Sequence, residues 1–271
     1  STSLLKLCSR VKPQNVSSRL KKKMAKYVKY WFIQDEIRAF HAQKENNLSS
    51  ASKILLPLAS SGAAENHTAR LRDKLGIPSE IKVAITMGSL SDWSMVREIV
   101  SSVCTWPENW ALIVHDRYGQ TEAKLTKLGC ELNNVLKRKV FISNSAVNKV
   151  DNMSNVLAGV SVGLAFYKPN YKSPYTGKNL EYLGLASGKI STYLRYGVPL
   201  IMNNVGQYAT LAKKHQFGLV AENAEGICTL LEKLIDPSWS EHALMFYSEQ
   251  LDFKKYHNLV FEKLCEAAAA N

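Results

Sequence analysis

From Ile81 onward the chain alternates short runs of β-forming residues with helical patterns. The β-like runs are 83–86 (VAIT), 112–115 (LIVH), 140–143 (VFIS), 162–166 (VGLAF), 199–202 (PLIM) and 217–220 (FGLV). Helix-compatible stretches fill the gaps: Trp93 to Val103, Thr121 to Leu136, Asn152 to Leu157, Lys189 to Tyr196 and Tyr208 to His215. Strands this rich in Val, Ile and Leu are buried on both faces, which a sheet achieves when crossover helices cover each side. The pattern therefore predicts an α/β fold, a Rossmann-like doubly wound parallel sheet of six strands, over residues 79–240. Beyond it, Leu244, Tyr247, Leu251, Tyr256, Val260 and Leu264 recur at helical spacing, so residues 241–271 are expected to form one or two amphipathic helices.

The charge is placed unevenly. Of a net +12, the first thirty residues supply nine Lys or Arg and no acid. A polynucleotide-binding domain spreads basic charge over its folded surface, so no nucleic-acid partner is expected. Leu20, Met24, Tyr27, Val28 and Trp31 fall on one helical face, with Lys22, Lys23, Lys26 and Lys29 largely off it. Such a basic amphipathic helix over Leu20–Trp31 fits either an anionic membrane surface, reached by residues 6–29, or ordinary packing on a domain with its lysines in water. No apolar run is long enough to cross a bilayer and the start lacks a signal-peptide core, so the expected location is the cytoplasm, either free or peripheral on the inner face of the membrane. The five cysteines are scattered and form no C-x-x-C pair, so neither a disulfide framework nor a zinc site is expected.

In an open parallel sheet, ligands bind beyond the carboxyl ends of the strands. After the first run, Gly88 allows close backbone approach, and Ser89 and Ser91 can bond a ligand or cap the following helix. The G-x-G-x-x-G and P-loop fingerprints are absent, which removes the main signals for dinucleotide redox chemistry and P-loop phosphotransfer. Instead, Ser187-Gly188-Lys189 opens a helix that ends at Tyr196-Gly197. Free amides, a serine hydroxyl and a first-turn lysine suit a diphosphate, while a Ser cap with a solvated Lys is the plainer alternative. His115 and Asp116 lie together at a strand end, and Tyr167 and Asn179 flank the Lys168–Leu185 loop, a substrate-shaping segment or an ordinary surface loop.

The order S-G-K-I-x-x-Y-L-x-x-G-V-P-L-I, Ser187 to Ile201, resembles the donor-site helix of GT-B glycosyltransferases, particularly the retaining family 4 group, whose members often read P-S-K-x-x-E-Y-L-A-x-G-x-P-V-I. Gly88-Ser89-Leu90 is similar to that family's glycine-bearing loop, residues 112–119 to its second strand and turn, and residues 140–143, ending at Ser143, to the strand end bordering the base. Residues 162–167, ending at Tyr167, resemble the fourth strand, and Gly218-Leu219-Val220 a late strand. The resemblance implies that Lys189 holds the diphosphate of a nucleoside diphosphate sugar, with Ser187 and Gly188 hydrogen-bonding it. Thr192 stands where the family carries a ribose-binding acid, and Glu181 is an alternative ribose ligand. The implied activity is transfer of the sugar, with retention, to an unidentified acceptor, lipid-linked or polysaccharide, without metal or cofactor. Competing readings are a non-catalytic binding or scaffolding module and a basic peripheral membrane or RNA binder. Only about 80 residues precede the donor domain and no Met opens the chain, so the resemblance implies a fragment or processed form. Residues 1–78 would then be a basic, partly helical remnant of an acceptor-side domain, with 241–271 packing back on it.

Overall fold

The computed structural model describes residues 20, 23–25, 27–46, 48, 51–65, 70–117, 127, 129, 132–144, 152–173 and 176–269. Most of the helix expected over Thr121–Leu136 and residues 6–19 of the basic block lie outside them. The chain divides into two compact units, residues 1–57 with 255–271, and residues 58–254.

In the first unit, β1 (Tyr30–Ile33), α1 (Glu36–Asn46) and β2 (Ser52–Leu55) make one crossover, the strands pairing in parallel from Tyr30↔Ser52 to Ile33↔Leu55. The helix expected over Leu20–Trp31 is thus too long at its C-terminal end. Tyr30, Trp31, Phe32 and Ile33 form an unbroken aromatic and β-branched run, and with β2 to pair with it takes the strand conformation. Residues 21, 22 and 26 of that segment are outside the described set.

The second unit contains α2 (Leu71–Lys74), β3 (Lys82–Met87), α3 (Val96–Ser102), β4 (Trp110–His115), α4 (Leu136–Lys139), β5 (Val140–Ser143), α5 (Ser154–Leu157), β6 (Val162–Ala165), α6 (Lys178–Glu181), α7 (Gly188–Arg195), β7 (Leu200–Asn203), α8 (Gly206–His215), β8 (Gly218–Ala221), α9 (Cys228–Leu231) and α10 (Ser238–Phe246). The helix α11 (His257–Ala269) returns to the first unit, where Tyr30 donates its hydroxyl proton to Glu266. All six strands of the large sheet are parallel, in the order β5-β4-β3-β6-β7-β8, as the alternating pattern predicts. The chain winds outward from β3 in one direction and from β6 in the other, so the β3/β6 pair is the topological switch point.

Alternate residues of each strand feed opposite cores. Val83, Ile85, Met87 and Ile113 face α7, α8 and α10 through Ile190, Tyr193, Tyr208, Ala209 and Phe246. Ala84, Leu112, Val114, Leu164 and Ile201 face Ile99, Val103, Ile227 and Leu231. At the switch point Tyr193 seats α7 directly. Gly163 has no side chain, so the ring packs against β6, where a Cβ would meet the ring at 2.7 Å, and the Tyr193 hydroxyl donates to the Ile85 carbonyl of β3 at 3.1 Å.

The boundaries drawn from sequence, after residues 78 and 240, differ from those of the folded chain. Leu71 and Ile77 belong to the large core. Arg195 donates to the carbonyls of Ser61, Gly62 and Ala63, and Tyr247 to that of Ser60, which ties residues 60–63 to α7 and the turn after α10. Ala243, Phe246, Tyr247 and Leu251 are likewise core residues, so the tail is shared between units. The helix expected over Trp93–Val103 is interrupted at Met95, whose φ of 51° separates a 3₁₀ turn at Asp92–Ser94 from α3.

Candidate functional site

The carboxyl ends of β3 and β6, where a doubly wound sheet opens, are bridged by named contacts. Trp93, in the loop after β3, stacks on Tyr167 after β6, with ring centroids 6.1 Å apart and planes within 6°. The Lys168 amide donates to the Trp93 carbonyl at 2.8 Å. Asn203, at the end of β7, accepts from the Tyr167 amide at 3.0 Å and donates to the Tyr167 carbonyl at 2.7 Å. Three strand ends are thereby locked around Tyr167.

Helix α7 presents its N-terminus to this place. Ser187 is its N-cap and accepts from the Ile190 amide at 3.2 Å, while its carbonyl accepts from Ser191 at 3.0 Å. The amides of Gly188 and Lys189 precede any intrahelical acceptor and remain at the open end of the helix. Leu58 donates to the Leu185 carbonyl at 2.8 Å and supports the entering segment. Gly206, at the start of α8, closes it from the other side, with the Gln207 amide donating to the Leu183 carbonyl at 3.1 Å.

Lys189 is the charged centre of the arrangement. Its ammonium lies 5.3 Å from the centroid of the Tyr167 ring, and its Cε lies 3.6 Å from where a Cβ would stand on Gly88. It makes no ion pair among the described residues, and burial pushes its pKa down from the usual 10.5 to about 8. A lysine that is partly buried, without an ion-pair partner and set against the positive end of a helix dipole carries an electrostatic cost, which an anion beside it would offset.

The other residues singled out by sequence fall into two groups. Gly88 faces Lys189 directly. Ser89 bonds Ser91 through their hydroxyls at 2.9 Å, and Leu90 lines a cavity of about 410 Å³ with Ser91, Arg97 and Lys127. Ser187, by contrast, is buried with its Oγ engaged by Tyr167 Oη at 2.7 Å as well as by Ile190 N–H, so it positions the helix and does not point into the opening. Thr192 is buried too and donates its hydroxyl proton back to the Gly188 carbonyl at 2.6 Å. Both hydroxyls turn inward because a buried donor or acceptor needs a partner, and backbone groups of the same helix are the nearest.

His115 and Ser143 pair across β4 and β5, His115 Nδ1 lying 3.2 Å from Ser143 Oγ. Burial, reinforced by Arg117 and opposed by Asp116, brings the His115 pKa down to about 4. It is a neutral packing imidazole at physiological pH. Glu181 accepts from the Tyr171 hydroxyl at 2.9 Å on the exposed end of α6. Asn203 and Trp93 are the contacts that sequence reasoning passed over. Asn203 directly follows the predicted 199–202 run and ends the observed β7, and a polar residue at a strand's carboxyl end was the available signal. Among the described residues no cluster of His, Cys, Asp and Glu could hold a metal ion, and no helix is long and apolar enough to cross a membrane.

No family model matches this sequence, and no curated protein matches it. Its structure is similar to several solved ones. Sucrose-phosphate synthase from Thermosynechococcus elongatus aligns with a TM-score of 0.66 at 12% identity over 95% of this chain and 63% of that one. HepE of Anabaena, solved with UDP and glucose, aligns at 0.64 and 13% identity over 93% and 66%. WaaG, a glycosyltransferase involved in lipopolysaccharide biosynthesis, aligns at 0.54 and 18% over 81% and 58%. At these identities the likeness establishes the fold, the Rossmann-like α/β architecture of GT-B glycosyltransferases. The chain spans 58 to 66% of the length of these three.

Proposed function

We propose that this chain binds a nucleoside diphosphate sugar at the β3/β6 switch point and takes part in transferring its sugar to an acceptor. The observation that carries the reading is Lys189, an unpaired ammonium packed on Tyr167 beside Gly88 and the free amides of α7. The likeness to HepE, solved with UDP and glucose, and to the pneumococcal O-GlcNAc transferase GtfA, solved with UDP and GlcNAc, supports it. In the transfer, the bond between the anomeric carbon and the β-phosphate oxygen breaks, its electron pair passes to the diphosphate, and the anomeric carbon bonds an acceptor oxygen whose proton passes to the departing diphosphate. Lys189 and the α7 amides lower the energy of that developing charge without reorganising, and Gly88 lets the phosphates approach the backbone. Gly188 and Lys189 are the direct ligands in this scheme. Ser187, Tyr167 and Asn203 position them, Ser143 borders the base, and Ser89 and Leu90 shape the entrance. Retention at the anomeric carbon is part of this proposal, supported by the resemblance of residues 187–201 to family 4 enzymes.

Titration calorimetry with UDP and with GDP tests the reading, and binding of neither would overturn it. Its pH dependence is specific. The protonated lysine is the binding form, and a bound diphosphate raises its pKa, so the complex takes up a proton above the free value. Affinity for UDP is therefore expected to fall as pH rises past about 8, by up to about tenfold per pH unit. Lys189→Arg, charged throughout this range, is expected to remove the fall. A flat wild-type profile between pH 7 and 10 would count against Lys189.

A further inference from the structure

The segment preceding β1 leaves three large side chains of its expected apolar face largely exposed. Leu20, Met24 and Tyr27 are 57%, 53% and 72% exposed, while Ala25 is the buried residue of the turn. Leu264 of α11 is 56% exposed and joins Tyr27 and Phe32 in lining a groove of about 350 Å³. Lys29 and Lys263 also line it, their ammonium groups 5.4 and 5.6 Å from the centroid of the Tyr30 ring. Lys263 is paired with Glu262 and Glu266, and Glu266 also accepts from the Tyr30 hydroxyl.

The charge of this unit is one-sided. Residues 31–57 carry three acids and three bases, and residues 255–271 two of each, so the nine bases of the first thirty residues are its whole excess. Exposed Leu, Met and Tyr beside the exposed Lys23 and Lys29 match a bilayer interface, where acyl chains take the apolar groups and anionic headgroups the lysines. A polynucleotide would satisfy the charge and leave the aliphatic groups in water. A second copy would bring two equal excesses together.

We propose that the Leu20–Met24–Tyr27 face, with Leu264 and the Lys29/Lys263 groove, docks this unit on an anionic membrane surface. This is independent of the donor site in the other unit. Flotation of the full chain with vesicles tests it. Binding is expected to vesicles in which a third of the lipid is anionic, not to zwitterionic vesicles, and to be lost at about 0.5 M salt. Lys23→Glu with Lys29→Glu is expected to lower partitioning about tenfold or more. Met24→Ser with Leu264→Ser, both at exposed positions, is expected to lower it with an unchanged far-UV circular dichroism spectrum. UDP affinity is expected to be the same in wild type and both variants. Failure to float with anionic vesicles, equal flotation of wild type and both variants, tight binding of an unstructured RNA in place of vesicles, or a dimer abolished by the serine variant would each overturn the proposal.

Discussion

Lys189→Met is expected to make the protein more stable at neutral pH while reducing UDP affinity about a hundredfold or more. The two effects have one cause. The ammonium is partly buried without an ion-pair partner among the described residues, and burial lowers its pKa to about 8. Methionine has a similar length, lies comfortably on the Tyr167 ring and carries no charge to desolvate. A gain of about 1 kcal/mol is the usual scale for removing such a functional liability. Truncating one partner of an enclosed charge pair costs binding about 2–5 kcal/mol. The sign of the pH dependence is also set. Between about pH 8 and the unfolded value near 10.5, the unfolded chain binds more protons at this residue than the folded one, so wild-type stability rises with pH. The advantage of the methionine variant is thus full below pH 8 and shrinks across that window. Thermal melts at pH 7 and pH 10 with UDP calorimetry would check this, and a methionine variant less stable than wild type at pH 7 would contradict it.

Gly206→Ala is expected to cost about 4 kcal/mol or more, at the severe end for single substitutions. Gly206 has φ +65°, and an added Cβ would lie 1.7 Å from the Leu183 carbonyl oxygen. Backbone cannot rotate aside as a flexible side chain can, so either α8 or the segment leading into α7 must move. That segment ends at the Ser187 cap, so the variant is also expected to lose UDP affinity. Urea denaturation followed by circular dichroism gives the stability. A loss below about 1 kcal/mol would show that the Leu183–Gly206 contact is not the constraint described.

The sheet was legible because each strand is a nearly continuous apolar run between helical stretches. The β5 run 140–143 is matched residue for residue, and the other five shift by only one or two positions at their ends. The first unit was less legible. Trp31 continues a helical rhythm, yet Tyr30 and Trp31 pair with Ser52 and Lys53, a contact no local pattern encodes. In the site, Lys189 stood out because a lysine in the first turn works against the helix dipole. The direction of a hydroxyl has no such signal. Ser187 and Thr192 are good hydrogen-bonding residues on paper, but Ser187 pairs with Tyr167, brought to it by the fold, and Thr192 donates to the Gly188 carbonyl of its own helix. The Trp93–Tyr167 stack and the Asn203 clamp join separate strand ends and exist only once the switch point is assembled.

The central claim is that a nucleoside diphosphate sits against the first turn of α7 beside Gly88. Amide chemical-shift mapping during a UDP titration tests this directly. The largest saturable shifts are predicted at Gly188, Lys189 and Gly88, with smaller ones at Tyr167. Saturable binding that leaves those amides unmoved, or no binding at all, would contradict it.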